Sequence, residues 1–262
     1  ILYANDSVGN TNSSNVSFTI DATAPSWTQF PVNQTVEFGI PFIYDLNATD
    51  LQTITFSISD TTNFSIYSTS GVIRIATLLQ IGDHPLTVSA TDTFGNINST
   101  LIFVRVRDTI APSWSQFPVN QTIEFGIPFV YDLNATDLQT ITFGISDTTN
   151  FSINSSSGLI RNATLLQVRN HQLTVNASDP SGNINSTLIF VRVVDTITPS
   201  WSQFPVNQTV ELGSAFVYDL NATDLQTVTF SISDTTNFSI NSSSGLIRNA
   251  TSLQINDYPL RV

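Results

Sequence analysis

The sequence predicts an all-β protein built as tandem β-sandwiches, and three observations support this fold class. Trp27, Trp114 and Trp201 stand 87 residues apart in nearly the same phrase, Pro-Ser-Trp, then Thr or Ser, then Gln-Phe-Pro. Apolar residues alternate with polar ones along short segments, which is the pattern of strands with one buried face. Clusters of turn-forming residues separate these segments, and no segment has the period of a helix.

The repeated unit is a whole domain. Residues 24–110 and 111–197 align without a gap and are identical at 70 of 87 positions, and residues 198–262 match residues 111–175 at 51 of 65 positions. A period this long indicates repeated domains rather than a solenoid of short units. We therefore predict repeat 1 at 24–110, repeat 2 at 111–197, and repeat 3, without its last strands, at 198–262.

Residues 1–23 resemble the end of a repeat, and together with residues 198–262 they make up one period to within one residue. We predict that they form the terminal strands of a preceding repeat or of a repeat in a neighbouring subunit. In the first arrangement, the sequence is a window of a longer covalent tandem array. In the second, residues 1–23 of one copy complete repeat 3 of another by strand addition at an exposed sheet edge, which builds an open head-to-tail filament.

Repeat 2 illustrates the predicted strands. The odd-numbered positions from Phe129 to Ala135 are apolar, whereas the even-numbered positions include Asp132 and Asn134. Similar alternation occurs in the segments 141–145, 151–153, 173–177 and 188–193. Six or seven short strands in one repeat, separated by turns, predict a β-sandwich of immunoglobulin type that is large enough to bury one core.

The composition indicates an extracellular protein at a cell surface. The chain has no Cys, no Met and no Lys, and 11% of its residues are charged, where about 25% is usual. Disulfides and Lys–Asn isopeptide bonds are therefore excluded as staples. The net charge of −12 argues against nucleic acid and anionic membranes as partners. No apolar segment approaches the roughly 18 residues of a membrane span, so any secretion signal or anchor is expected outside these residues.

Motifs for asparagine-linked glycosylation are unusually dense. Nineteen of the 24 asparagines lie in Asn-x-Ser/Thr, where chance at this Ser and Thr content gives about six. An open alternative is that Ser- and Thr-rich strands generate the motif by accident. We predict N-linked glycans on the outer strand faces, and the candidate sites are Asn5, Asn12, Asn15, Asn33, Asn47, Asn63, Asn98, Asn120, Asn134, Asn150, Asn154, Asn162, Asn176, Asn185, Asn207, Asn221, Asn237, Asn241 and Asn249.

An ordered series of motifs runs through each repeat. In repeat 1 it comprises Val36-Glu37, Leu46-Asn-Ala-Thr-Asp50, Ser70-Gly-Val-Ile73, Leu86-Thr-Val-Ser-Ala-Thr-Asp92 and Val106-Arg-Asp108-Thr-Ile-Ala-Pro112. This series resembles the signature of cadherin repeats. It is most similar to the cadherin-like, dystroglycan-type repeats of microbial surface proteins, with archaea as the expected source. The resemblance covers each repeat from end to end and implies an extracellular immunoglobulin-like domain.

The resemblance also implies a calcium site, because cadherins bind calcium between successive domains. The residues at the matching positions are Glu37, Asp50, Asp92, Asp108, Glu124, Asp137, Asp179, Asp195, Glu211 and Asp224. The motifs depart from the cadherin pattern, since Asp50 is followed by Leu51 and Gln52 rather than by a second acidic residue. Four carboxylates with backbone carbonyls supply enough oxygens for one structural calcium ion but not for three. The alternative is that these carboxylates cap turns at the domain ends.

No motif indicates an enzyme. His84 and His171 occupy the same position of their repeats, and Tyr258 stands there in repeat 3, which argues against a catalytic base. No glycine-rich phosphate loop and no zinc-type spacing occurs. The tryptophan at the start of each repeat is expected to pack at the junction between domains, with sugar stacking as the alternative.

Two classes of function fit a glycosylated tandem array. The first is structural, in which stacked domains provide the length of a surface fibre, stalk, filament or surface-layer element. The second is a multivalent cell-surface adhesin whose repeats bind a glycan or a protein. We favour the first because the loops are constant between repeats; spacer domains of a surface enzyme are a further alternative. The expected partners are copies of the chain itself, together with other surface proteins or glycans.

Overall fold

The computed structural model describes residues 1–262, and its secondary structure consists of strands and turns without a helix. The all-β prediction is therefore confirmed. The chain divides into two compact units, Ile1–Ile110 and Ala111–Val262. Unit 1 has one hydrophobic core, in repeat 1, and unit 2 has two, in repeats 2 and 3.

Unit 1 begins with an exposed antiparallel hairpin of β1 (Leu2–Asn5) and β2 (Thr11–Ser14). Repeat 1 follows with nine strands, because the equivalent of the predicted strand 129–135 is split in two and two further strands precede it. The nine are β3 (Ser26–Gln29), β4 (Gln34–Glu37), β5 (Ile43–Asp45), β6 (Asn47–Thr49), β7 (Thr55–Ile58), β8 (Phe64–Ile66), β9 (Val72–Ile75), β10 (Gly82–Thr91) and β11 (Ile97–Arg107).

The strands of repeat 1 form two layers. One layer is a sheet of order β4-β11-β10-β7, in which β4 runs parallel to β11 and the other pairs are antiparallel. The other layer contains the pairs β3-β6 and β5-β9-β8. Phe64 and Ile73 from one layer and Leu86 and Val104 from the other are fully buried between them, so each repeat folds around a single sandwich core.

Repeat 2 in unit 2 has the same strand order, β13-β20-β19-β16 in one layer and β12-β15 with β14-β18-β17 in the other. The alternation predicted for residues 129–135 is confirmed, since Phe129 and Leu133 are buried whereas Asp132 and Asn134 are exposed. Its strands are β12 (Ser113–Gln116), β13 (Gln121–Glu124), β14 (Val130–Asp132), β15 (Asn134–Thr136), β16 (Thr142–Ile145), β17 (Phe151–Ile153), β18 (Leu159–Asn162), β19 (Asn170–Ser178) and β20 (Ile184–Val194).

Repeat 3 has five strands: β21 (Ser200–Gln203), β22 (Val217–Asp219), β23 (Asn221–Thr223), β24 (Phe238–Ile240) and β25 (Leu246–Asn249). Residues 208–211 and 229–232 are not in strands, although their equivalents form β13 and β16. In repeat 2 these strands bond to β20 and β19, and residues 198–262 contain no equivalent of β20 or of the last three residues of β19. A cavity of about 200 Å³ adjoins Trp201, Phe230 and Val262.

Candidate functional site

Three carboxylates meet at one end of repeat 1 in unit 1. Asp21 precedes β3, Asp50 follows β6, and Asp92 follows β10. One oxygen from each of the three lies within 4.8 Å of the others. Asp21 and Asp50 are half-buried, and Asp92 is buried, with 5% of its surface exposed. Three negative charges at this separation repel one another in the absence of a cation, and carboxylate oxygens are the ligands that calcium prefers.

A tight turn between β10 and β11 holds Asp92 in place. Its Oδ1 accepts hydrogen bonds from the backbone N–H groups of Phe94 (2.8 Å) and Asn96 (2.9 Å), and its Oδ2 accepts one from the Asn96 side chain (2.8 Å). Desolvation acts to raise the pKa of Asp92, but these hydrogen bonds outweigh it, so the pKa is lowered and the carboxylate stays charged. Asn96 Nδ2 also donates to the backbone carbonyl of Asp21 (3.1 Å), which ties Asp21 to the same turn.

Asp21 and Asp50 keep one carboxylate oxygen available for a ligand. Asp21 Oδ1 accepts from the Thr23 N–H (2.9 Å), and Asp50 Oδ1 accepts from the Gln52 N–H (2.8 Å), both two residues ahead. Each aspartate therefore caps its own turn through Oδ1. The sequence left open whether these aspartates cap turns or bind a metal. Both roles are compatible here, because the cap uses Oδ1 and leaves Oδ2 available.

The four ligands predicted for repeat 1 do not form one cluster in the structure. It brings Asp50 and Asp92 together, and it adds Asp21, which the sequence analysis did not select. Asp21 could have been recognised from the sequence, because Asp-Ala-Thr-Ala-Pro at Asp21 matches Asp-Thr-Ile-Ala-Pro at Asp108. Glu37 binds the segment after β11 instead, since its two oxygens accept from the backbone N–H (2.7 Å) and hydroxyl (2.9 Å) of Thr109. Asp108 accepts from the Ile110 N–H (3.1 Å).

Unit 2 repeats these arrangements. Asp137 and Asp179 have carboxylate oxygens within 4.8 Å of each other, and Glu124 binds the backbone N–H and hydroxyl of Thr196 at 2.7 and 2.9 Å. The Thr196 N–H is the main reason why the pKa of Glu124 is lowered, against the effect of desolvation. A glutamate on the β4-type strand thus anchors the segment that leaves each complete repeat.

Repeats 2 and 3 contact each other within unit 2. Gln226 Nε2 in repeat 3 donates to Asp195 Oδ2 in the segment that leaves repeat 2. The Leu225 side chain lies against Gly126 of repeat 2, at a distance that leaves no room for a Cβ atom there. Asp224 accepts from the Gln226 N–H (2.8 Å), whereas the Glu211 side chain is exposed. The predicted ligands Asp195 and Asp224 therefore lie at a junction between repeats.

The two histidines have a structural role that explains their replacement in repeat 3. His84 and His171 donate through Nε2 to the carbonyls of Gln80 (2.8 Å) and Gln167 (2.9 Å), and each ring packs edge-on against a core phenylalanine. Tyr258 packs against its own core phenylalanine in the same way, and its hydroxyl bonds to the backbone of the residue four positions earlier. A histidine and a tyrosine thus fulfil one structural requirement.

The tryptophans pack inside their own repeats. Trp27 lies against Phe56, with ring centroids 6.4 Å apart, and Trp114 lies against Phe143 at the same distance. The Nε1 atoms of both tryptophans are buried without a hydrogen-bond partner. The contacts seen are therefore with the core of the same repeat, rather than the junction contacts expected from the sequence. Phe30, three residues after Trp27, is the aromatic residue near the start of repeat 1 that is exposed, with 65% of its surface accessible.

The strand pairing defines the chain as tandem immunoglobulin-like β-sandwich repeats. No protein-family model and no curated protein sequence matches the chain. Among solved structures, the chain is similar to mouse Cadherin-23 EC22-24, with 20% identity over 88% of this chain and 89% of that chain, and a TM-score of 0.35. It is similar to Drosophila N-cadherin EC1-4, with 20% identity over 89% and 68% of the two chains and a TM-score of 0.34.

A similarity also exists to the titin domains z1z2, with 12% identity over 68% of this chain and 100% of that chain, and a TM-score of 0.43. The fold assignment rests on the strand pairing of the chain itself rather than on these similarities. The structure contains no helix that is long and apolar enough to cross a membrane.

Proposed function

We propose that this chain is a structural, N-glycosylated element of an extracellular cell surface, in which tandem sandwiches form a fibre, stalk, filament or surface layer. The observation that carries the proposal is that one sandwich is built repeatedly with the same turns and the same glutamate anchor at its exit. Such repetition provides length and stiffness, which a catalytic or single-ligand protein does not need. Electron microscopy of purified native material is expected to show rods, filaments or a lattice, and compact isolated particles would contradict it.

Native material is expected to be heavier than its polypeptide. If the dense motifs serve glycosylation, the intact mass per 262 residues will exceed 28.6 kDa by the mass of many sugar units. Peptides around Asn47, Asn134 and Asn221 are expected to carry glycans. Intact-mass and glycopeptide measurements check this prediction. A mass equal to that of the bare chain would remove the glycan part of the proposal and weaken the extracellular assignment.

Copies of the chain are the proposed partners, either in a covalent tandem array or by head-to-tail strand addition. The β1-β2 turn reproduces the β10-β11 turn, since Asp6 accepts from the N–H groups of Val8 and Asn10 (both 2.9 Å) as Asp92 does from its own turn. Phe18 and Ile20 beyond it are 87% and 91% exposed. If copies join by strand addition, a protein of residues 1–262 will polymerise and a protein of residues 24–262 will not. If both proteins are monomeric, strand addition is wrong and the covalent array is the remaining arrangement.

A structural calcium ion is the cofactor we propose for the Asp21, Asp50 and Asp92 cluster. The unengaged oxygens of Asp21 and Asp50 and the charged Asp92 supply a hard-oxygen donor set, and backbone carbonyls and water would complete the six to eight ligands that calcium takes. The cation would offset the repulsion between the three carboxylates. The equivalent aspartates of later repeats, Asp137, Asp179, Asp195 and Asp224, are proposed for the same role.

Calcium is expected to raise the melting temperature of unit 1, because an ion that binds the folded state stabilises it by mass action, by about 2.7 kcal/mol at a hundredfold excess over its Kd. Asp50→Asn retains the Oδ1 acceptor for the Gln52 N–H but removes a charge. This variant is expected to abolish the calcium response of unit 1, and its unit 1 is expected to melt higher than that of the native sequence in chelator. Calorimetry with calcium or chelator measures both effects.

Asp45→Asn is the matched control for the calcium test, since Asp45 is an exposed aspartate on β5 outside the cluster. It is expected to keep the full response to calcium. If calcium changes the melting temperature of none of the three proteins, the carboxylates are turn caps and the calcium proposal is wrong.

One observation favours the adhesin as a second candidate. Phe30, Phe117 and Phe204 occupy one loop position in the three repeats and are 65%, 65% and 76% exposed. The loop is held by a tyrosine hydroxyl, as where Tyr44 accepts from the Val32 N–H (3.0 Å). An exposed aromatic ring on a fixed loop is a suitable platform for a sugar or a protein partner. Replacing all three by alanine would abolish binding to cells or glycans in the adhesin and leave a scaffold unaffected.

A further inference from the structure

The 19 glycosylation motifs do not share one structural environment. Eleven of their asparagines are exposed and eight are half-buried. In seven of the eight, the side-chain Nδ2, which is the atom that accepts a glycan, already donates a hydrogen bond within the fold. These seven are Asn63, Asn98, Asn150, Asn162, Asn185, Asn237 and Asn249.

We infer that N-linked oligosaccharides are confined to the exposed class, and that the seven held asparagines are structural staples that remain unmodified in the folded protein. This inference rests on the proposed glycosylation and assigns it to particular sites. Glycosylation replaces one of the two Nδ2 hydrogens by a sugar ring. At a half-buried nitrogen less than 3 Å from its acceptor, that ring would crowd the acceptor and the surrounding fold, even though one N–H remains.

The first group of staples closes the Asp-Thr-Thr-Asn turn. Asn63 Nδ2 donates to Asp60 Oδ2 (2.8 Å), while the backbone N–H of Asn63 donates to Asp60 Oδ1 (3.0 Å). The Asn63 N–H is the main cause of the lowered pKa of Asp60, followed by the Asn63 side chain. Asn150 and Asn237 make the same paired contacts in repeats 2 and 3. The asparagine is therefore needed as an amide donor to a carboxylate.

The second group joins parts of a repeat that are distant in sequence. Asn98 on β11 donates from Nδ2 to the carbonyl of Pro25 (2.8 Å), 73 residues earlier, and Asn185 makes the same bond to Pro112 (2.9 Å). Both prolines are buried. The bond ties the last long strand to the start of the tryptophan strand, so a sugar on this nitrogen would crowd the place where the two meet.

The third group lies at the last residue of the central strands β18 in repeat 2 and β25 in repeat 3. Asn162 Oδ1 accepts from the Phe129 N–H (2.8 Å), and its Nδ2 donates to the Thr164 carbonyl (2.9 Å). Asn249 makes the equivalent bonds at 3.0 and 2.9 Å. Repeat 1 has Ile75 at this position and no motif. Both ends of the amide therefore make hydrogen bonds within the fold, and a glycan on Nδ2 would have to fit beside the contact with the Thr164 or Thr251 carbonyl.

The exposed class lacks these constraints. Asn47, Asn134 and Asn221 lie on the outer face of equivalent strands, β6, β15 and β23, and an exposed position recurs at Asn33 and Asn120. Where an exposed member makes a close side-chain bond it uses the carbonyl oxygen, as Asn33 Oδ1 does with the Phe103 N–H (2.9 Å). The one Nδ2 contact in this class is long and exposed, from Asn134 to Asp132 Oδ2 at 3.5 Å, so Nδ2 of these asparagines is not held as it is in the staples. The other exposed sites are Asn5, Asn12, Asn15, Asn154, Asn207 and Asn241.

Glycopeptide mapping of native material tests the assignment of glycans. Glycans at Asn47, Asn134 and Asn221 with none at the seven staples would support it. Comparable occupancy of the staples would overturn the inference while the chain remained a glycoprotein. If no site carries a glycan, the proposed glycosylation is wrong, and so is the inference that glycans are confined to the exposed asparagines.

The stapling half is tested without glycans, on the full chain made in a host that does not glycosylate. Asn98→Asp keeps the side-chain shape but removes the donor to Pro25, and Asn47→Asp adds the same charge at an exposed site. Asn98→Asp is expected to lower the melting temperature by at least about 4 °C, as expected for a lost internal hydrogen bond. Asn47→Asp is expected to change it by less than about 2 °C. Equal effects of the two variants would overturn the structural role.

Discussion

Replacing Gly71 by alanine is expected to destabilise repeat 1 more than any surface substitution. Gly71 follows β8 with a φ of +78°, and a Cβ atom there would overlap the backbone carbonyl oxygen of Leu46. That part of the chain is fixed, because the Leu46 N–H donates to the Gly71 carbonyl (3.1 Å). A non-glycine residue in the left-handed region costs about 1–2 kcal/mol, and the displaced backbone raises the loss above about 3 kcal/mol.

Gly95 provides the matched control for this prediction. It has a similar φ of +90°, but no atom lies within 4 Å of the position of a Cβ. Gly95→Ala is therefore expected to lose only the conformational cost of about 1–2 kcal/mol. Denaturant unfolding of the two variants separates the contributions. Equal losses would show that the contact with Leu46 does not limit this turn. Gly158 has the same close contact with Leu133, so Gly158→Ala is expected to behave like Gly71→Ala.

Acid is expected to unfold the chain, because several turn carboxylates have lowered pKa values. Hydrogen bonds from asparagine side chains and backbone N–H groups lower the pKa of Asp6, Asp60, Asp147 and Asp234 below the ordinary 3.8. Such a group binds fewer protons when folded than when unfolded. Its stabilising contribution is complete above the unfolded pKa and is lost as the pH falls through the folded pKa. The melting temperature is therefore expected to fall as the pH is lowered from about 4.

Thermal melts across this pH range, at constant ionic strength, measure the effect. Asp60→Asn keeps an acceptor oxygen in the turn but cannot titrate, so it is expected to reduce the pH dependence and to lower stability at neutral pH. Asp132→Asn, at an exposed position on β14, serves as a control for the loss of one charge. A melting temperature that does not change between neutral pH and about pH 2 would show that these hydrogen bonds do not favour the charged carboxylates.

Much of the fold follows from local patterns. The buried positions of β10, Leu86, Val88 and Ala90, are the apolar ones of an alternating run, and they face the core because neighbouring side chains of a strand point to opposite sides. The division of residues 26–37 into the two strands β3 and β4 was not predicted from the sequence. It arises because the chain crosses from one layer to the other between Gln29 and Gln34, and the choice of partner strand is not encoded in alternation.

The candidate site shows a similar division. Asp50 and Asp92 were selected through the cadherin resemblance, whereas Asp21 was not, since it precedes the first complete repeat. Glu37 was expected with the aspartates, and it binds Thr109 instead. Sequence motifs identify which residues carry oxygen ligands. They do not state which of these residues share one end of a sandwich, because that depends on how strands that are distant in sequence pack together.

By itself, the sequence determined the repeat period, the all-β class, the faces of most strands and the positions of all 19 glycosylation motifs. These properties depend on neighbours along the chain. Only the tertiary structure decided which asparagines have their Nδ2 engaged, that His171 and Tyr258 fill one structural role, and that Asp21 joins Asp50 and Asp92. The physical reason is the same in each case: a hydrogen bond, a ring contact or a charge cluster forms between groups that only the packing of distant strands brings within reach.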